Sequence, residues 1–530
     1  MVRRRSSAVR LLGAGLARSL TAVPVQLGTP LSLADVAAVA GGEAVALPQD
    51  AAGRMRASRA LVEEKVRSNE SVYGVTTGFG SLANVRIEPE QAATLQGRIV
   101  RSHATSVGPP LARDEARAML LLRAHVLALG YSGVRVEIVE RMVEMLNRNL
   151  IPAVPEQGSL GASGDLAPLA SLALPLIGSG RLLSDDGSTV AAADVLLGVG
   201  LRPLELQAKE GLALVNGTQG MLAIGALAAG RLGALVRAAD VVAAMTIEAA
   251  LGTDRPFDER LQRLRPHPGV VASAANLRAL MSGSEIVASH RASSHLVQDA
   301  YSLRCAPQVH GAVRDALARA EEVLGIEANA VSDNPIVLAD DGEILAGGNF
   351  HGQPVAVALD AAALSSVSLA SIAERRLYRL LDPATNGGLP AFLVPHSGLN
   401  SGLMLAQYTA ASLVSESKSL AHPASVDSIP SSAGQEDHVS MGMTAARHLR
   451  GCVANAETVV AIELLAAAQA LDLRSPLIPG AGSRAGRAAL REVVSFLQED
   501  RELGPDIHAA VELVRDGALL DAVAEAVSLR

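Results

Sequence analysis

Residues 218–251 read TQGMLAIGALAAGRLGALVRAADVVAAMTIEAAL. Within this run only Arg231, Arg237, Asp240 and Glu248 are charged, and no proline interrupts it. A helix of that length extends roughly 50 Å at 1.5 Å per residue. Being apolar on most faces, it belongs at the centre of a bundle or at an oligomer contact rather than on a surface. The stretches Pro354 to Leu380, Ser401 to Ala421 and Ala445 to Leu473 read the same way, separated by short loops rich in Gly, Asn, Ser and Pro. The chain holds five Tyr, five Phe and no Trp. Ala, Leu, Val and Gly must therefore fill the core, and small side chains let helices approach closely. Pro109-Pro110 followed by Asp114, Glu115 and an apolar run to Gly130 is ordinary helix punctuation, and Glu137 to Leu150 is a second amphipathic helix. The expected fold is mainly α, a long-helix bundle with a smaller mixed α/β N-terminal region.

Composition narrows the function. Of 530 residues 49% are hydrophobic, which supports a substantial core and excludes global disorder. Forty-six basic against 54 acidic residues give a net charge of −8, so there is no basic footprint for nucleic acid or an anionic membrane. Residues 383–415 are uncharged, but Pro, Gly, Asn and Gln recur through them, and no transmembrane segment is expected. Cys305 and Cys452 are the two cysteines. They make neither a disulfide framework nor a metal cluster, and fit a reducing, cytoplasmic setting. No repeat of 20–50 residues suggests a solenoid. Arg3, Arg4, Arg5, Arg10 and Arg18 all precede the first acidic residue, Asp35. That pattern resembles a transit peptide and equally suits a plain basic extension. In chain order the sequence divides into a basic, disordered extension at 1–25, an N-terminal region at 26–215, and a central and C-terminal helical bundle at 216–530 that continues the same fold.

Polar, Gly-rich clusters interrupt the helical pattern at a few places. Tyr73-Gly-Val-Thr-Thr-Gly-Phe-Gly80 has three glycines in eight residues and two of the ten aromatics. It lacks the Lys-Ser/Thr ending of a phosphate-cradling loop. It is either a plain loop or a rigid platform for Tyr73, and a tyrosine serves as base only when cations or dipoles lower its usual pKa of about 10. Gly158-Ser-Leu-Gly-Ala-Ser-Gly-Asp-Leu-Ala-Pro-Leu169 also reads two ways. It can be a helix N-terminus capped by Ser163 or Asp165. Alternatively, the Gly164 nitrogen attacks the Ala162 carbonyl and Ser163 loses its hydroxyl, two waters leaving in all. The product is a five-membered methylidene-imidazolone, an electrophile that no ordinary side chain supplies. Such closure needs a compressed turn.

Ala162-Ser163-Gly164 followed by Asp165-Leu166-Ala167-Pro168-Leu169 closely resembles the signature of the aromatic amino acid ammonia-lyases and aminomutases. Tyr73 to Gly80 is similar to that family's tyrosine loop, and Glu210 to Gln219 to its asparagine motif. Val297 to Cys305 is similar to its substrate-carboxylate segment, and Gly348 to His351 and Gln435 to Ser440 match as well. The similarity runs in order from about residue 28 to the C-terminus. Arg101-Ser102-His103 resembles the Ser-His pair of the histidine branch, where phenylalanine and tyrosine branches carry Phe-Leu or His-Leu. Glu436 resembles the same branch, whereas Thr76 stands where that branch has Asn or Ser.

The resemblance implies non-oxidative deamination of L-histidine to trans-urocanate and ammonia, through a 4-methylidene-imidazol-5-one (MIO) formed autocatalytically from Ala162, Ser163 and Gly164, with no metal and no diffusible cofactor. It implies Tyr73 as base for the β-proton and Arg304 as clamp for the α-carboxylate, with Asn349 orienting that group. It also implies Asn216, Gln298 and Tyr301 as positioning groups or supports for the electrophile, Tyr301 among the catalytic residues, and Phe350 packed beside the ring. His103 and Glu436 would read the imidazole, which needs polar partners for both nitrogens. A phenyl ring would leave Glu436 unpaired. His351 and His438 read as structural, and His310, His422 and His508 have no role in the chemistry. The resemblance further implies a homotetramer with shared active sites. The alternatives are a tyrosine or phenylalanine ammonia-lyase or a 2,3-aminomutase of the same family. More distant ones are a helical lyase of the fumarase or aspartase type, and an inactive paralogue serving as a metabolite-binding scaffold.

Overall fold

In the computed structural model the run at 218–251 forms one helix, Gln219–Ala249; the structure describes residues 23–292 and 297–530 apart from 69, 79, 81–86 and 88–90. The other three apolar stretches form Gln353–Leu381, Met404–Leu420 and Gly442–Leu473. Proline and acid punctuation gives Arg113–Ala128, where the Glu115 carboxylate accepts the Ala112 N–H, and Val136–Asn147 follows it. A further long helix, Ala306–Ala328, is too densely charged to stand out from sequence. The expected basic extension lies outside the described residues as far as residue 22. The first described element is the strand Val25–Gln26, which pairs in parallel with Val45–Ala46.

The chain forms two compact units that are not the chain-order division at 215/216. The first comprises Met1–Leu227, Glu321–Leu359 and Pro423–Arg447, and the second Ala228–Ala320, Asp360–His422 and His448–Arg530. The reason is mechanical: each of four long helices contributes residues to both units, so four of the five boundaries fall inside helices, and only that at His422/Pro423 falls in a loop.

The first unit holds the mixed part. Its sheets are two-stranded: besides the parallel pair, there are antiparallel pairs Val107–Pro110 with Pro155–Gln157, Arg181–Leu183 with Thr189–Ala191, and Ile336–Leu338 with Glu343–Leu345. Short helices pack between them. Gly211 allows the Glu210–Val215 helix to lie directly against Ala92–His103, since a Cβ there would sit 2.4 Å from the Gln96 carbonyl oxygen.

The second unit is a helical bundle pinned by buried charge. Asp240 accepts from His310 (2.7 Å), Ser273 (2.6 Å), Asn276 (2.9 Å) and Arg314 (2.7 Å). Arg376 forks onto Glu463 at 2.6 and 2.8 Å, and Thr246 donates to the same carboxylate. His310 bridges these two clusters through Arg376. Breaking one such buried pair costs about 3–5 kcal/mol. Among the described residues three helices, Gln219–Ala249, Gln353–Leu381 and Gly442–Leu473, are long and apolar enough to cross a membrane by length and composition. Their apolar windows are instead 67–78% buried within the protein, and the fully paired Asp240, Arg376 and Glu463 sit on them. They are core helices.

Candidate active site

The segment 158–165 is a loop, not the first turn of a helix, and it is held from two sides. On one side the Asp165 N–H donates to the Gly217 carbonyl (2.7 Å) and the Gly217 N–H to the Ser163 carbonyl (3.3 Å). Neither bond uses the Gly164 nitrogen or the Ala162 carbonyl, the two groups that ring closure would join. On the other side the Met441 N–H donates to the Leu160 carbonyl (2.9 Å) and the Ser440 hydroxyl to that of Gly161 (3.2 Å). Asp165 caps no backbone group of its own helix. Buried completely, it accepts from the Ser159 hydroxyl (2.8 Å) and the Met221 N–H (2.7 Å). Burial nevertheless pushes its carboxyl up to about 6.

Gly164 has φ +73°, and a Cβ there would lie 2.0 Å from the Gly217 oxygen. The loop is therefore a compressed turn, as cyclisation of Ala162-Ser163-Gly164 requires, with the least hindered residue at the nucleophilic nitrogen. Asn216, next in line, leaves its side-chain oxygen buried with no partner among the described residues. These features fit an autocatalytic methylidene-imidazolone. Gly164→Ala is expected to prevent the two-water mass loss and to lower thermal stability, since a non-glycine residue in that conformation costs about 1–2 kcal/mol before the clash is counted. Intact mass and thermal melting check both effects.

Ser163 faces a cleft of about 440 Å³, within the range of small-molecule sites. Tyr73, Gly80, Ala162, Phe350 and Glu436 line it too. Tyr73 comes from the glycine loop, whose Thr76 and Thr77 hydroxyls are spent on local backbone bonds to Glu70 (2.6 Å) and Gly78 (2.9 Å). Thr76 thus holds the loop rather than the cleft. The Tyr73 oxygen accepts the Gly80 N–H at 3.1 Å. Glu436 is the direct neighbour of the loop: Ser163 donates to one carboxyl oxygen (3.2 Å) and Ser431 to the other (2.6 Å). A tight turn with positive φ at Ser432 and Ala433 folds Glu436 back to pair with Ser431. Backbone strain of this kind is stored where function uses it.

His103 ends the Ala92–His103 helix, its Nδ1 2.9 Å from the Ile99 carbonyl. Burial draws its imidazole below the ordinary value, while the Ile99 carbonyl and the charge of Glu436 pull it back up. His351 and His438 stack 5.9 Å apart at the cleft wall, and His351 Nε2 lies 3.3 Å from the His438 carbonyl, which suits a structural pair. Asn349 is exposed, its amide directed to the Val331 carbonyl (3.3 Å), and is not among the lining residues. Two lining features have only a turn signal in the sequence: Asn334, before a proline, accepts the Gly347 N–H (2.8 Å) and so places Ala346 and Gly347 at the wall.

Gln298, Tyr301 and Arg304 lie in the second unit and line other cavities. Gln298 and Arg304 border one of about 510 Å³ and Tyr301 another of about 570 Å³. The Arg304 guanidinium sits 4.7 Å over the Tyr301 ring, and its Nε is buried with no partner among the described residues. Tyr301 is 71% exposed.

Residues 31–492 match the family of aromatic amino acid lyases. The histidine ammonia-lyase of Sorangium cellulosum is 55% identical over 510 residues, covering 94% of this chain and 99% of the relative. The crystal structure of histidine ammonia-lyase from Trypanosoma cruzi superposes with a TM-score of 0.88 at 41% identity, over 96% of each chain. A tyrosine aminomutase from Streptomyces globisporus superposes with a TM-score of 0.91 at 40% identity, over 96% of this chain and all of the other. The long-helix fold and the strained Ala-Ser-Gly loop facing a tyrosine are those of a carbon–nitrogen lyase. The chain belongs to the aromatic amino acid lyase family.

Proposed function

We propose that the protein is a histidine ammonia-lyase, converting L-histidine to trans-urocanate and ammonia. The observation that carries this reading is the Glu436 carboxyl on Ser163, with His103 within electrostatic reach. The Ser163 hydroxyl leaves when the ring forms, so a Glu436 oxygen loses its donor at the place where substrate binds. An imidazole N–H replaces that donor; a phenyl ring cannot. Leaving such a group unpaired costs about 1–3 kcal/mol.

The MIO formed from Ala162, Ser163 and Gly164 supplies an electrophile that makes the substrate amine a better leaving group. The chain's own side chains do the rest. Tyr73 accepts the β-proton as the Cα–N bond breaks and its electron pair leaves with ammonia, so the double bond forms without redox change. Phe350 walls the cleft beside the loop, and Asn216 positions the substrate or supports the electrophile. Arg304 pairs bidentately with the α-carboxylate, a geometry its planar fork suits, while Gln298, Tyr301 and Asn349 orient that end.

A second copy of the chain supplies the clamp, as the resemblance to the aromatic amino acid ammonia-lyases implies. Exposure supports this: three of the five tyrosines, Tyr301, Tyr378 and Tyr408, are exposed on the second unit together with Leu364 and Leu405. Exposed aromatic and leucine patches are what an oligomer covers. The assembly is a homotetramer with shared sites. Cys305 and Cys452 are both free thiols, in keeping with a cytoplasmic, reducing setting.

The test is ammonia release with L-histidine, L-tyrosine and L-phenylalanine side by side, with product analysis. Histidine far ahead is expected. Tyrosine or phenylalanine ahead overturns the substrate, and a β-amino acid product means an aminomutase. Glu436→Gln is expected to lower kcat/KM for histidine by roughly 10- to 150-fold, the worth of a charged hydrogen bond of about 1.5–3 kcal/mol. Equal losses on all three substrates would remove the argument for histidine.

A further inference from the structure

We infer that Arg123 is a positioning residue for ring closure, acting through the Asn216–Gly217 peptide. This rests on the methylidene-imidazolone reading and extends it to a side chain that touches neither substrate nor ring. Arg123 lies in the Arg113–Ala128 helix and is fully buried. Among the described residues one nitrogen, Nη1, makes both of its hydrogen bonds, to the Asn216 carbonyl (2.6 Å) and to Gln219 Oε1 (2.8 Å). Its Nε and Nη2 have no partner among the described residues. Burial draws the guanidinium down to about 10, partly offset by Asp333, so it remains charged at neutral pH.

A buried charge with two unsatisfied N–H groups is a poor source of stability; an apolar residue of similar volume would cost less. What it secures is local. Gly217, at φ +150°, is enclosed by Arg123 Nη1, Gln219 Oε1 and the Ser332 carbonyl, which a Cβ would meet at 2.6, 2.4 and 2.9 Å. Gln219 is fixed in turn by its bond to Ser332 (2.7 Å). The Arg123 grip on the Asn216 carbonyl therefore fixes the plane of the peptide that carries the Gly217 N–H. That N–H donates to the Ser163 carbonyl, and the Gly217 carbonyl, in the next peptide, receives the Asp165 N–H, so Gly217 holds the segment on both sides of Gly164 and its N–H side is the one Arg123 clamps. The charge-assisted bond also polarises the peptide, strengthening its N–H as a donor.

Ring closure joins the Gly164 nitrogen to the Ala162 carbonyl carbon. The Ala162 oxygen departs as water with the hydrogens of the Gly164 and Ser163 amides, and the Ser163 hydroxyl departs as a second water with the Ser163 α-hydrogen. No oxidant or co-reactant is needed. The reaction depends on how closely the nitrogen is held to the carbonyl, which is what the clamped peptide controls.

The experiment follows intact mass over time after protein synthesis is stopped, in the full-length protein and three variants. Arg117→Met is the control: Arg117 is a buried arginine on the same helix that binds the Val39 and Leu146 carbonyls, away from the loop. The unaltered protein and Arg117→Met are expected to lose two waters at the same rate. Arg123→Met should lose them about tenfold more slowly or worse, as loss of a charged hydrogen bond implies. Arg123→Lys keeps a charge and a donor and should fall between, which also decides the matter if Arg123→Met does not fold. Either Arg123 variant closing at the unaltered rate overturns the inference, and so does equal slowing in Arg117→Met. An unaltered protein at its full sequence mass overturns the ring reading itself, a different result from the others.

Discussion

Ser163→Ala is expected to abolish ammonia release, with kcat at least about 10³-fold lower, a loss of more than ~4 kcal/mol of barrier lowering at 1.36 kcal/mol per tenfold. The reason is chemical. Alanine has no hydroxyl to eliminate, so the variant should keep its full sequence mass while the unaltered chain is two waters lighter. The fold should not suffer. Before closure the hydroxyl makes one bond among the described residues, to Glu436 at 3.2 Å, from a half-buried position, and a single hydrogen bond contributes about 1 kcal/mol. Helical content and melting temperature close to those of the unaltered protein, with activity lost, separate chemistry from folding. Substantial residual turnover would contradict the role of the loop.

The second large effect is expected from mixing two inactive variants. Arg304→Met should lower kcat/KM by roughly 30- to several-thousand-fold, since removing one partner of a buried charge pair costs about 2–5 kcal/mol. Ser163→Ala is inactive for the reason above. Co-expressed with different tags and purified for both, they should recover activity. In randomly mixed assemblies half of the loops and half of the clamps are intact, so roughly a quarter of shared sites are complete. If loop and clamp came from one chain, no site would be whole and the mixture would stay inactive. Sites shared between copies of the chain, as proposed, make recovery the expected result.

Glu436→Gln, Gly164→Ala and the Arg123 series probe separate links: the reading of imidazole, the space for closure and the clamp beneath it. Because Glu436 and Ser163 touch, double substitution should be non-additive on histidine turnover.

Much of this was legible in the sequence. An apolar run of helical length without internal proline can hardly be anything but a buried helix, and four such runs define a bundle; their observed ends lie within about three residues of the expected ones. The Ala-Ser-Gly tripeptide was legible for a similar reason, because its chemistry depends on three adjacent residues. Gly217 and Gly211, by contrast, follow from close approach of distant segments, and periodicity says nothing about which segment will approach.

Arg123 shows the limit most clearly. An arginine between Leu122 and Ala124 in a helix of buried residues is a visible anomaly, but its target, the Asn216 carbonyl, is 93 residues away. The Ser163–Glu436 contact spans 273 residues, and the carboxylate clamp lies in the other compact unit altogether. Helix, loop and reaction chemistry are local properties of side chains and backbone, and the sequence by itself determined them. Which charge is buried beside which peptide, and which residues share a cleft, depends on the path of the chain through space. Only the tertiary structure decided that, because burial and hydrogen bonding act between neighbours in space whatever their separation along the chain.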